Sequence, residues 1–156
     1  MFHMPDRTSV DPVASMTVRI TRIHPDAVLP EYQTAEAAGF DLAAVESVTI
    51  QPGRVALIPT GLVIRVPVRM FLGVFARSST PLKRGLMIAN GVGVIDSDYC
   101  GPKDEIKIAV MNFTDAEVTV KAGDRIAQGI LLEAPRVEWA EAGTADVSRG
   151  GFGSSG

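Results

Sequence analysis

Cysteine occurs once in this chain, at Cys100, so no intrachain disulfide framework holds it together and a reducing compartment is expected. Histidine occurs only at His3 and His24, which leaves no Cys/His cluster with zinc-ligand spacing. Basic residues are not in excess. The 15 Lys and Arg stand against 18 Asp and Glu, a net charge of −3 that argues against a nucleic-acid binder relying on positive charge. Apolar runs fall well short of the ~20 residues that cross a bilayer, so no membrane partner is expected. The first residues lack the basic-then-apolar pattern of a secretory signal, and the expected location is the cytoplasm. What is present is a 156-residue chain that is 46% hydrophobic, enough for one compact soluble domain with a real core.

Residues 1–15 are polar, carry Pro5 and Pro12 and show no periodicity; they read as a disordered extension, with Met16 as an alternative start. From Thr17 the pattern becomes that of β-strands. Strands are expected over Thr17–Arg22, Ser47–Gln51, Arg54–Ile58, Gly61–Val66, Met70–Phe75, Glu105–Met111, Glu117–Val120 and Arg125–Leu132. Pro52-Gly53 suits a tight turn, because proline fixes φ and glycine accepts φ > 0. Regular turn signals between short strands predict an all-β sandwich or barrel over residues 16–142. One short helix is expected at Thr80–Gly85, with Thr80 as the N-cap, Pro81 at the first helical position and Gly85 just past the end. Glu31–Ala38 is a candidate helical turn. Residues 143–156 are rich in Gly and Ser and read as a flexible tail.

The densest chemistry lies in Asn90-Gly91-Val92-Gly93-Val94-Ile95-Asp96-Ser97-Asp98-Tyr99-Cys100-Gly101. Asp-Ser-Asp is turn chemistry, and glycine lets a backbone approach another backbone or a ligand. The stretch reads as a β-hairpin, either clasping a flat small molecule or serving as an ordinary surface hairpin with Asx turns.

Five segments in order resemble the motifs of the trimeric deoxyuridine triphosphate nucleotidohydrolases (dUTPases). They are Ala38-Gly39-Phe40-Asp41-Leu42-Ala43-Ala44, Ala76-Arg77-Ser78-Ser79-Thr80, the Asn90–Gly101 stretch, Gly123-Asp124-Arg125-Ile126-Ala127-Gln128 and Arg149-Gly150-Gly151-Phe152-Gly153-Ser154-Ser155-Gly156. The resemblance implies a jelly-roll-like β-barrel, a homotrimer with shared sites, and Mg²⁺-dependent hydrolysis of dUTP to dUMP and pyrophosphate. By the same resemblance Asn90 and the backbone from Gly91 to Val94 read uracil, Tyr99 packs under the deoxyribose, and Phe152 covers the base. Arg77, Ser78, Ser79 and Gln128 hold phosphates, while Arg149, Gly153, Ser154 and Ser155 close on the γ-phosphate. Asp96 is the expected general base for the attacking water, and Asp98 a solvent-exposed turn former. Mg²⁺ is expected on triphosphate oxygens with no direct protein ligand; Asp41 is either an anchor for a metal-bound water or purely structural. Arg125 is expected to be a solvated surface charge and a structural partner of Asp124.

Three features depart from the family pattern: Cys100 after Tyr99, a longer loop at Pro102-Lys103-Asp104-Glu105, and a fifth motif two residues short. Two rival readings stand beside the hydrolase. A dCTP deaminase would need a glutamate three residues before Asn112, where this chain has Ala109. A non-catalytic nucleotide-binding trimer would have no need of Asp96.

Overall fold

In the computed structural model, which describes residues 16–144, eleven strands and one short helix follow one another as β1 (Arg19–Arg22), β2 (Phe40–Ala43), β3 (Val48–Ile50), β4 (Val55–Pro59), β5 (Leu62–Arg65), β6 (Met70–Ala76), α1 (Ser79–Arg84), β7 (Leu86–Ile88), β8 (Gly93–Ile95), β9 (Lys107–Asn112), β10 (Val118–Val120) and β11 (Arg125–Glu133). The all-β class expected from the turn spacing is what the chain adopts. The strands form four antiparallel sheets, ordered β2-β11-β6-β8, β4-β9-β7, β1-β5 and β10-β3. No pair in these sheets joins strands that are consecutive in the chain.

That topology corrects the hairpin expected at Asn90–Gly101. The Asp96-Ser97-Asp98 turn forms, with Tyr99 N–H on Asp96 O at 3.2 Å, but β8 before it pairs with β6 and residues 99–101 after it form no strand, so no hairpin closes; β7 pairs with β9, and the Asn90–Val92 turn carries the chain from one sheet to another. The local chemistry is right, since Gly91 N–H donates to Ile88 O at 3.1 Å and Val92 N–H to Asn90 O at 2.9 Å. Partner choice follows burial: Leu86 and Ile88 are drawn into the core, whereas Val94 stays on the surface. The Pro52-Gly53 turn behaves in the same way. Arg54 N–H closes on Gln51 O at 3.1 Å with Gly53 at φ 67°, yet β3 and β4 pair with other strands.

Leu42, Ile58, Leu62, Leu72, Leu86, Ile106, Ile108 and Ile126 have no exposed surface and form the centre of the core. Each such side chain contributes roughly 1.5–3 kcal/mol by leaving water. β9 alternates, with Ile108 and Val110 inward, as a strand with one solvated face should. Asn112 is fully buried at its end, where its amide donates to Ile50 O and Ala116 O and accepts from Thr114.

The helix forms where expected but is capped differently. Ser78 occupies the N-cap position without a side-chain capping bond, and Thr80 is inside the helix. Thr80 is buried, and its hydroxyl donates to Ile126 O at 2.8 Å; satisfying that buried carbonyl outweighs capping an exposed helix end. Gly85 ends the helix at φ 64°, and a Cβ there would run into Thr114. Glu31–Ala38 forms bends and turns and no helix. The segment is held from both ends, by Ala37 N–H on Thr34 O at 3.2 Å and Asp41 N–H on Glu31 O at 3.0 Å. β2, β7 and β8, each three or four residues long, are additional to the strands expected from periodicity.

Candidate active site

β8 is the outer strand of its sheet, so one side of its backbone faces away from β6 and is open to a ligand. Beside it lies a groove of about 270 Å³ lined by Leu57, Val94, Asp96, Tyr99, Glu105 and Lys107, together with Ile95. Three of the expected site residues (Val94, Asp96 and Tyr99) are therefore brought together. Asn90 and Gly91 lie at the turn just before β8 and are not among the lining residues. The Gly91 and Val92 N–H groups are consumed by that turn, which leaves the Asn90 side chain and the free edge of β8 as donors toward a base. Asp96 is exposed and makes no ion pair among the described residues. It also lines an adjoining cavity of about 360 Å³ with Arg69, Phe71, Ser97, Asp98 and Arg136. Tyr99 is 40% exposed and its hydroxyl donates to Glu105 O at 3.2 Å.

The expected phosphate ligands gather elsewhere, at the far end of the same sheet. β11 sets Gln128 opposite Asp41 on β2 and opposite Phe75 on β6. Gln128 Nε2 donates to Ala76 O at 3.0 Å, so its amide is fixed beside the start of the Arg77-Ser78 segment. Arg77 Nε lies 2.7 Å from Asp41 Oδ1, and Arg77 Nη1 donates to Arg125 O at 3.1 Å. That fork orients the guanidinium and leaves its remaining N–H groups for a ligand. Ser78 is exposed and its hydroxyl is not used as a cap; Ser79, the first helical residue, is half-buried.

Arg125 differs from expectation. It pairs with Asp41 Oδ2 at 3.1 Å and donates to Gln33 Oε1 at 2.8 Å. Asp124 instead accepts from Arg84 Nη1 and from Lys121 N–H, both at 2.8 Å, which closes the Lys121–Asp124 turn. The Arg84 hydrogen bond holds the Asp124 carboxyl below its ordinary 3.8, helped by the Lys121 N–H and opposed by partial burial.

The two clusters are far apart within one chain. Ile95 sits opposite Leu72, which puts Asp96 level with Phe71, while Arg77 follows the other end of β6. At ~3.3 Å per residue the two levels are ~20 Å apart along the strand. Arg77 is moreover pinned toward β2, across β11 from β6 and away from β8.

Among the described residues no three His, Cys, Asp or Glu side chains gather as a metal cage. Both oxygens of Asp41 are engaged by arginines and its side chain is 10% exposed, so this carboxylate fits the structural role better than the water-anchoring one. Residues 1–15 and the tail residues Arg149, Phe152, Gly153, Ser154 and Ser155 lie outside the described residues. Sequence reasoning missed Leu57, Glu105 and Lys107 as groove residues, and Gln33 as a partner of Arg125. The unusual length of the loop at Pro102–Glu105 was the only local signal pointing to any of them.

The dUTPase family model matches residues 26–156. A deoxyuridine 5'-triphosphate nucleotidohydrolase of Solibacter usitatus is 45% identical, over 92% of this chain and 99% of its own length. The crystal structure of dUTPase from Streptococcus mutans is similar at TM-score 0.71 and 36% identity, covering 77% of this chain and 98% of that one. The Staphylococcus bacteriophage 80alpha dUTPase with dUPNHPP shares the fold at TM-score 0.81 and 22% identity, over 91% and 99% of the two chains. With its motifs in order and its fold matched, the chain belongs to the dUTPase family.

Proposed function

We propose that the protein is a dUTP diphosphatase that hydrolyses dUTP to dUMP and pyrophosphate, acting as a homotrimer in the cytoplasm. That activity would limit uracil in DNA and supply dUMP for thymidylate synthesis. The observation that carries this reading is the groove beside β8, where a free carboxylate, Asp96, and an anchored ring, Tyr99, share one cavity. Uracil offers two carbonyl acceptors flanking one N–H donor. The Asn90 amide and the outward backbone of β8 supply a complementary pattern, and cytosine would set donor against donor. Tyr99 packs under the sugar, where a 2′-hydroxyl would collide with it. Asp96 takes a proton from a water that attacks the α-phosphorus; the bond from that phosphorus to the bridging oxygen breaks, and pyrophosphate leaves with the electron pair.

Arg77, Ser78, Ser79 and Gln128 bind the phosphates, with Arg77 held in register by Asp41 and Arg125. Within one chain these groups stand ~20 Å from Asp96, whereas catalysis needs them around one phosphorus atom. A second copy must therefore bring its phosphate edge to the first copy's groove. Such an edge-to-groove contact joins two different surfaces, and a closed ring of copies satisfies all of them. An apolar row across β4, β9 and β7, with Val55 opposite Met111 opposite Met87, supports self-association. Val55 and Leu57 are each 58% exposed, and Leu57 reaches the groove itself. Arg149, Phe152, Gly153, Ser154 and Ser155 are assigned to closing the site over base and γ-phosphate. Mg²⁺ would supply positive charge that offsets the charge building on the leaving pyrophosphate.

The deaminase alternative lacks the glutamate it needs three residues before Asn112. Ala109 pairs opposite Leu57, beside the groove, and offers only a methyl group. The test is pyrophosphate release from dUTP, dCTP, dTTP and UTP, with and without Mg²⁺. Rapid turnover of dUTP alone, lost on chelation, is expected. Ammonia release from dCTP would overturn the reaction assigned, and UTP turnover matching that of dUTP would overturn the role of Tyr99.

A further inference from the structure

Tyr99 sends its hydroxyl to the backbone carbonyl of Glu105, so the ring can be no better placed than Glu105 is. The loop that carries Glu105 begins with a closed turn, in which Gly101 N–H donates to Asp104 Oδ2 at 2.7 Å and Asp104 N–H donates to Gly101 O at 3.1 Å. These bonds shape the turn but tie it only to itself. The tie to the rest of the barrel is made by Glu105 and its neighbour. Gly61 N–H donates to Glu105 Oε1 at 2.8 Å, Ile106 N–H donates to Leu62 O at 2.8 Å, and Thr60 Oγ1 donates to Ile106 O at 2.7 Å. Gly61 itself is buried at φ 68°, with its Cα face against His24 and Ala27. The Glu105 side chain is 18% exposed, and its other oxygen lies 3.9 Å from Lys107 Nζ, another residue of the groove wall.

We propose that Glu105 is a positioning residue for Tyr99 and that it sets discrimination between deoxyribose and ribose. This rests on the sugar-selecting role of Tyr99 given above. Rejecting a 2′-hydroxyl by shape requires a ring that does not yield. Tyr99 is 40% exposed and cannot rely on core packing for that. The chain Gly61 N–H to Glu105 carboxylate, and Glu105 carbonyl to Tyr99 hydroxyl, gives the ring a stop against the buried β4–β5 corner. A charged acceptor on a backbone N–H is among the stronger hydrogen bonds available for this purpose. The arrangement also gives the loop at Pro102–Glu105 a purpose: its internally closed turn returns the chain to the groove wall at Glu105.

The experiment compares kcat/KM for UTP and dUTP, both read as pyrophosphate release, in the full-length protein and its variants. Glu105→Ala is expected to raise the UTP/dUTP ratio about five- to tenfold. Glu105→Gln keeps an oxygen that can accept from Gly61 N–H and is expected to hold the ratio near the unsubstituted value. A purely structural role would lower both substrates in proportion and leave the ratio unchanged, and that result would overturn the proposal. Should Glu105→Ala fail to fold, Tyr99→Phe removes only the hydroxyl at the other end of the link. It is expected to raise the ratio a few-fold, and an unchanged ratio would again overturn the proposal. Tyr99→Ala separates the two layers. If it relaxes sugar selection while Glu105→Ala does not, only the Glu105 assignment falls. If it leaves the ratio unchanged, the reading of Tyr99 falls as well.

Discussion

Asp96→Asn is expected to lower dUTP turnover about 10²–10⁴-fold, the range for loss of a positioned general base, while dUTP binding changes little. The substitution preserves size and hydrogen-bonding reach but removes the capacity to take a proton from water. Nothing structural should follow from it. Asp96 is exposed, makes no ion pair among the described residues, and lies one residue past the end of β8. KM therefore separates from kcat in this variant, as it does when an interaction made only in the transition state is lost. Steady-state pyrophosphate release, together with binding of a non-hydrolysable dUTP analogue, measures both. A variant with the original rate would place the base elsewhere, and one that failed to bind would make Asp96 a ligand and not a base.

Arg77→Ala is expected to reduce kcat/KM for dUTP about 10²–10³-fold, the usual consequence of deleting a donor aimed at developing charge. The reasoning starts from its anchorage. Asp41 holds Nε at 2.7 Å and the Arg125 carbonyl holds Nη1 at 3.1 Å, so the rest of the guanidinium is presented in one orientation. Lysine has no fork with which to make both contacts, and Arg77→Lys should recover little of the loss. The substitution also leaves Asp41 with Arg125 as its one remaining arginine partner among the described residues, so circular dichroism should accompany the kinetics. Full activity in a folded Arg77→Ala protein would remove this residue from the phosphate site.

The strands with clear alternation and the turns with proline or glycine were legible in the sequence, because both signals are local. Pro52-Gly53 turns where it should, and Gly85 stops the helix where it should. Pairing was not legible, and the Asn90–Gly101 stretch shows why. Its turn chemistry is that of a hairpin, but which strands lie beside β7 and β8 is decided by residues far along the chain. Thr80 and Arg125 make the same point at the level of side chains. A hydroxyl expected to cap a helix is drawn to a buried carbonyl, and an arginine expected to pair with its neighbour is turned by the strand toward Asp41. In the site, the motif residues could be named from resemblance alone. The separation of Asp96 and Tyr99 from Arg77, Ser78 and Gln128 emerges only from the register of β6 against β8 and β11.

That separation makes the shared site the central claim, and one measurement bears on it most directly. Asp96→Asn and Arg77→Ala are each nearly inactive alone by the account above, yet each keeps the half that the other lacks. Co-expressed in equal amounts, they should form mixed rings in which a groove with Asp96 meets a neighbour's intact Arg77. Random assortment then restores about one quarter of the unsubstituted dUTP turnover. Recovery to that level is the predicted result. Mixed rings that stay as inactive as the separate variants would mean that Asp96 and Arg77 serve one site within a single chain, and would contradict the account.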